Sequence, residues 1–96
     1  MDTSESITAS TTVTILNRLG LHARPAMSLV DLSNQFQCAV KVSKDSQTVD
    51  GKSIMQVMML AATQGTKLEI EAAGPDAEQA IAQLEKLFST PFGEDG

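Results

Sequence analysis

Apolar and polar positions along this chain repeat with two different periods, and the switches between them mark seven elements. Val13 and Ile15 alternate with Thr12 and Thr14 across Thr11–Leu16, the pattern of a half-buried strand. Asn17-Arg18-Leu19-Gly20 breaks that pattern as a loop. From about Ala23 to Gln35 the spacing is helical: Ala26, Leu29, Val30 and Ser33 share one face, and Leu32 and Phe36 widen it. Pro25 suits the first turn of that helix, where a missing N–H costs nothing. Cys38, Val40 and Val42 then alternate with Ala39 and Lys41 as a second strand. Ser43–Ser46 reads as a turn, and Gln47–Asp50 as a short third strand. Ser53-Ile54-Met55-Gln56 has the form of a capping box and opens a helix to about Thr63. Its inner face is Ile54, Val57, Met58 and Ala61, and Gly65 takes the left-handed position that ends it. Leu68, Ile70 and Ala72 alternate with Lys67, Glu69 and Glu71 as a fourth strand. Gly74-Pro75-Asp76 opens a last helix with Ala77, Ala80, Ile81, Leu84, Leu87 and Phe88 at helical spacing.

The order is strand, helix, strand, strand, helix, strand, helix. The closeness of the second and third strands predicts a hairpin, so the sheet is at least partly antiparallel. Each helix has one apolar stripe and the strands one apolar face. The simplest packing is an α+β layer pair, a four-stranded sheet with three helices on one side. Periodicity leaves the strand order open. Residues 1–10 are polar and aperiodic and read as a flexible leader, residues 11–88 as the domain, and residues 89–96 as an acidic tail.

Composition narrows the function. Ninety-six residues make one domain, and 42% apolar residues are too many for a disordered chain. A domain of this size has a stability of roughly 5–10 kcal/mol. The longest apolar run, Val57–Ala62, is too short to span a membrane, and the start shows no secretory signal. The reading is a cytoplasmic protein without membrane insertion. Cys38, the one cysteine, can form no internal disulfide and no cysteine metal cluster. The net charge is −5, from twelve acids and seven bases, but Asp2, Glu5, Glu94 and Asp95 lie in the two ends, where there is no base. The remaining eight acids face seven bases, so the acidity belongs mainly to the ends. Three Phe with no Trp or Tyr, and no basic surplus, argue against nucleic-acid binding.

The candidate chemistry centres on the only histidine. His22 stands just before a helix start, where unpaired N–H groups and the positive end of the helix dipole favour an anion. Arg24 can add a guanidinium fork for phosphate oxygens, and Arg18 and Lys52 are further cations that the fold could bring near. Neutral imidazole is a fair nucleophile near neutral pH. The arrangement suits reversible phosphorylation of histidine. Taken alone, a histidine before a helix is more often a loop or capping residue. A metal site lacks a second histidine, and no nucleophile elbow or paired acids point to a hydrolase.

Gly20-Leu21-His22-Ala23-Arg24-Pro25-Ala26 resembles the active-site signature of the histidine-containing phosphocarrier family, HPr, of the bacterial phosphoenolpyruvate-dependent phosphotransferase system. Lys52-Ser53-Ile54-Met55-Gln56-Val57-Met58 resembles the region around that family's regulatory serine, and Gln64-Gly65-Thr66 its step into the last strand. The resemblance runs from about Thr12 to Phe88. It implies an open-faced β-sandwich, four antiparallel strands covered by three helices, and a carrier without independent turnover or cofactor. His22 matches the histidine that enzyme I phosphorylates on Nδ1, before the group passes to enzyme II A domains for sugar uptake. Arg24 matches the arginine that supports the phosphate. Pro25 matches the helix-starting proline, with Gly20 and Ala23 as loop and helix-start support. Ser53 matches the serine that an HPr kinase/phosphorylase modifies in some bacteria. Ile54, Met55 and Met58 match the apolar patch that docks partners, transcriptional regulators included. The implied state is a monomer.

The residues add an argument of their own for that patch. Ile54 and Met58 lie on the helix stripe while Met55 and Met59 lie off it, and methionine repacks easily against varied partners. For Ser53 the capping role holds with or without a kinase. Phosphate there would add about two negative charges where a helix N-terminus tolerates them. Two features depart from the family pattern: longer ends, and Gln56 where several members have a small residue. A related branch that serves a nitrogen-linked phosphotransferase chain shares the histidine motif. A docking module switched by phosphorylation of His22 or Ser53 is the competing function.

Overall fold

A computed structural model describes residues 7–93. The elements are β1 (Thr8–Thr14), α1 (Ala23–Ser33), β2 (Ala39–Lys44), β3 (Gln47–Asp50), α2 (Ile54–Met59), β4 (Lys67–Ala73) and α3 (Ala77–Phe88). The sheet order is β1-β4-β2-β3, with every pair antiparallel. Val13 lies opposite Leu68, and Val42 lies between Ile70 and Val49, so the apolar rows of four strands fall on one face. That face is closed by α3 against β1 and β4 and by α2 against β3, with α1 packed on both helices. The opposite face carries Glu71 beside Lys41, and Lys41 beside Asp50, in a solvent-exposed row. The fold is therefore the open-faced α+β sandwich, and the strand order is what pattern alone left open.

Several boundaries differ from the sequence expectation. β1 begins at Thr8, so residues 8–10 belong to the sheet and Ile7 leads into it; residues 1–6 of the expected leader lie outside the described residues. Thr8 pairs with Ala73 and Ser10 with Glu71, and Gly74 N donates to Ile7 O at 2.8 Å. Small and hydroxylated residues blurred the alternation that Ile7, Ala9, Thr11 and Val13 continue. The α1 helix stops at Ser33, two residues short of Gln35, with Asn34 as its C-cap.

The α2 helix is four residues shorter than expected. Leu60 caps it, its carbonyl accepts from Lys44 Nζ at 2.9 Å, and Ala61 takes a left-handed backbone with φ 50°. The chain thus turns at Ala61 and not at Gly65, whose φ of 88° serves the later turn into β4. The buried side chains are Val57 and Leu60; Ile54, Met58 and Ala61 are exposed. The capping box is half formed. Ser53 Oγ accepts from Gln56 N at 3.3 Å, but Gln56 Oε1 accepts from Asp50 N at 2.9 Å. Of the expected acidic tail, residues 94–96, with Glu94 and Asp95, lie outside the described residues, and residues 89–93 pack on the domain. Phe92 is buried and meets Phe88 edge-on, with ring centroids 4.8 Å apart.

Candidate functional site

The site is built from the loop between β1 and α1. Gly20 N donates to Asn17 O at 2.9 Å, closing the turn that exposes Arg18 and Leu19. Leu21 N then donates to Ala62 O at 2.8 Å, which ties the loop to the segment after α2. Gly20 has φ +74°, and a Cβ there would collide with the Ala62 carbonyl oxygen. Only glycine meets both demands.

His22 is the N-cap of α1, with extended backbone (φ −78°, ψ −170°), and its carbonyl accepts from Ala26 N at 2.9 Å. Its side chain makes no capping bond, so the ring is not spent on the helix end. The residue is half-buried, and its Nε2 is the buried nitrogen, without a hydrogen-bond partner among the described residues.

The first turn of α1 carries no acidic residue, so nothing there offsets the positive end of the helix dipole. Arg24 is exposed in that turn and Pro25 is buried in it. Arg18 stands in the preceding turn. Lys52 is not part of the group. Its Nζ donates to Phe36 O at 2.7 Å, beyond the far end of α1, an eleven-residue helix about 16 Å long. The positive setting of His22 thus rests on the N-terminus of α1, with Arg24 exposed in its first turn.

Ser53 caps α2 at that same far end, where Asn34 Nδ2 donates to Lys52 O at 3.2 Å. Along α2, Ile54 and Met58 are 37% and 41% exposed, while Met55 and Met59 are 76% and 66% exposed. The methionines off the stripe are therefore the outermost of the apolar side chains on α2. Met27 on α1 and Leu19 in the loop add exposed apolar surface that the pattern did not single out. Three further residues escaped the sequence reading: Asn17, Phe92 and Gly93. Asn17 is fully buried, and its Nδ2 donates to Phe92 O at 2.6 Å. A buried asparagine in a loop and a lone aromatic in a polar tail were the available signals. No group of three or more His, Cys, Asp or Glu able to hold a metal occurs among the described residues.

Comparison with known proteins decides what this geometry belongs to. A family model described as the PTS HPr component phosphorylation site matches residues 9–90. The chain belongs to the HPr phosphocarrier family. It is 47% identical over 81 residues to a phosphocarrier protein HPr of Cupriavidus necator, covering 84% of this chain and 91% of that one. It is 40% identical over 90 residues to a phosphocarrier protein NPr of Escherichia coli K12, covering 93% of this chain and all of that one. A crystal structure of HPr from Thermoanaerobacter tengcongensis superposes with a TM-score of 0.86 at 40% identity, covering 92% of this chain and 99% of that one. HPr-family proteins are phosphocarriers of the phosphotransferase system and not independent enzymes, and they work with components such as enzyme I and enzyme II. No helix among the described residues is long and apolar enough to cross a membrane.

Proposed function

We propose that His22 Nδ1 is the phosphoryl acceptor. The single observation that carries this is the ring's placement, at the N-cap of α1 with Nε2 buried and no capping bond made. The Nδ1 lone pair attacks phosphorus on phospho-enzyme I, the N–P bond forms on His22, and the bond to enzyme I breaks. The dipole of α1 and the Arg24 guanidinium offset the dianion. The same steps in reverse order of partners deliver the group to an enzyme II A domain. Gly20, Ala23 and Pro25 shape the loop and the helix start. Ile54, Met55 and Met58 form the face that both partners share, and Ser53 is a site for a regulatory kinase at its edge. The protein works in the cytoplasm as a monomer.

The test is incubation with enzyme I and phosphoenolpyruvate. One acid-labile phosphate per chain is expected, and none on His22→Ala; a phosphorylated His22→Ala chain would sink the assignment. Light scattering checks the monomer. A second reading is supported by the full-length similarity to NPr: a regulatory carrier of the nitrogen-related branch. Transfer from His22 to a sugar-specific enzyme II A domain, against transfer only to a nitrogen-type one, separates the two.

A further inference from the structure

We infer that the segment after α3, residues 89–93, is a strap that positions the phosphoacceptor loop, anchored by Asn17 and touching α1 through Gly93. This rests on the reading of His22 as acceptor. Asn17 holds two things together. Its backbone carbonyl closes the Asn17–Gly20 turn by accepting from Gly20 N, and its buried Nδ2 donates to the Phe92 carbonyl at 2.6 Å. Phe92 is seated edge-on against Phe88, which fixes the strap to the end of α3. Gly93 then passes so close to α1 that a Cβ would lie 2.8 Å from both N and Cα of Pro25 and 3.0 Å from the Arg24 carbonyl carbon. Its φ is +70°, so the contact is made in a backbone state that favours glycine.

The strap matters because it braces the backbone from which the ring projects. The imidazole makes no capping bond, and its Nε2 has no partner among the described residues. The place of Nδ1 therefore depends on the backbone that carries it. That backbone is held on one side by Ala62 and on the other by the strap. Phosphoryl transfer is sensitive to sub-ångström placement of the nucleophile, so a shift of the first turn should reach the rate. Asn17 and Gly93 are positioning residues in this scheme, since neither need touch the phosphate.

Three variants of the full chain test it: Gly93→Ala, Asn17→Ala and Gly65→Ala. Gly65 has a similar left-handed backbone (φ +88°), but a Cβ there meets nothing within 4 Å, so Gly65→Ala carries the strain without the contact. The readouts are kcat and KM for phosphorylation by enzyme I with phosphoenolpyruvate, and the pH titration of the His22 ring nitrogens by NMR. Gly93→Ala and Asn17→Ala should lower kcat about tenfold or more at nearly unchanged KM and move the His22 titration midpoint. Gly65→Ala should change neither. If Asn17→Ala does not fold, Gly93→Ala decides alone. Unaltered kcat and titration in Gly93→Ala, or equal losses in Gly65→Ala, would overturn the strap. If the parent chain takes no phosphate while Gly93→Ala still moves the titration, the acceptor reading fails and the strap stands; if neither occurs, both fail.

Discussion

Asp76 shows what a single side chain does that its position in the sequence does not announce. Placed just before α3, it looks like a helix cap, yet its side chain makes no capping bond. Its carboxylate instead accepts from Gln37 N at 2.8 Å and Cys38 N at 2.9 Å, pinning the entry to β2. The Gln37 N–H does most to hold the carboxyl below its ordinary value of 3.8; burial opposes it, and the Cys38 N–H adds to the lowering. A group with a lowered folded-state pKa stabilises the fold above its unfolded value, and the contribution fades as pH falls through the folded one. Asp76→Asn should therefore lower the melting temperature at neutral pH and flatten the acid limb below about pH 4, measured by circular dichroism. Cys38 next to it is pushed above its ordinary value of 9.0, first by burial and then by the Asp76 carboxylate. The thiol should resist iodoacetamide in the native state at neutral pH and react on unfolding, as mass spectrometry would record.

At the scale of elements, α2 is the instructive case. It is six residues long with Val57 as its one buried residue, too short to persist without its ends being fixed. Ser53 holds one end and Lys44 Nζ the other, through the Leu60 carbonyl. Ser53→Ala should cost about 1 kcal/mol in denaturant unfolding. The same helix presents its methionines to solvent. Met55→Lys should change stability by less than about 0.5 kcal/mol yet weaken enzyme I binding about tenfold, read by calorimetry. The pattern predicted the existence of α2 and its cap, because both are local. It missed the helix end and the inner face, since these are set by Lys44 from β2 and by the demand of Leu21 for the Ala62 carbonyl. No helical period in residues 53–63 contains that information.

For the whole molecule, one core joins the first strand to the last helix. Val13, Leu68, Ile70, Val57, Leu29 and Leu84 belong to a single buried cluster. Thr11 Oγ1 donates to Glu85 across 74 positions of the chain at 2.6 Å. Leu84→Ala should cost about 2–5 kcal/mol, a large share of the whole, and unfolding should stay one cooperative step by far-UV dichroism and by NMR.

By itself, the sequence determined the seven elements, their order, the buried faces of the strands and of the two longer helices, and the motif that places His22 at a helix start. These follow from side-chain periodicity and from backbone rules for Gly, Pro and Ser, which act over a few residues. Tertiary structure alone decided the order β1-β4-β2-β3, the exclusion of Lys52 from the site, and the return of Phe92 and Gly93 onto the loop that carries His22. Each of these joins segments far apart in the chain. Their energies come from pairing, burial and close approach, which no local pattern encodes.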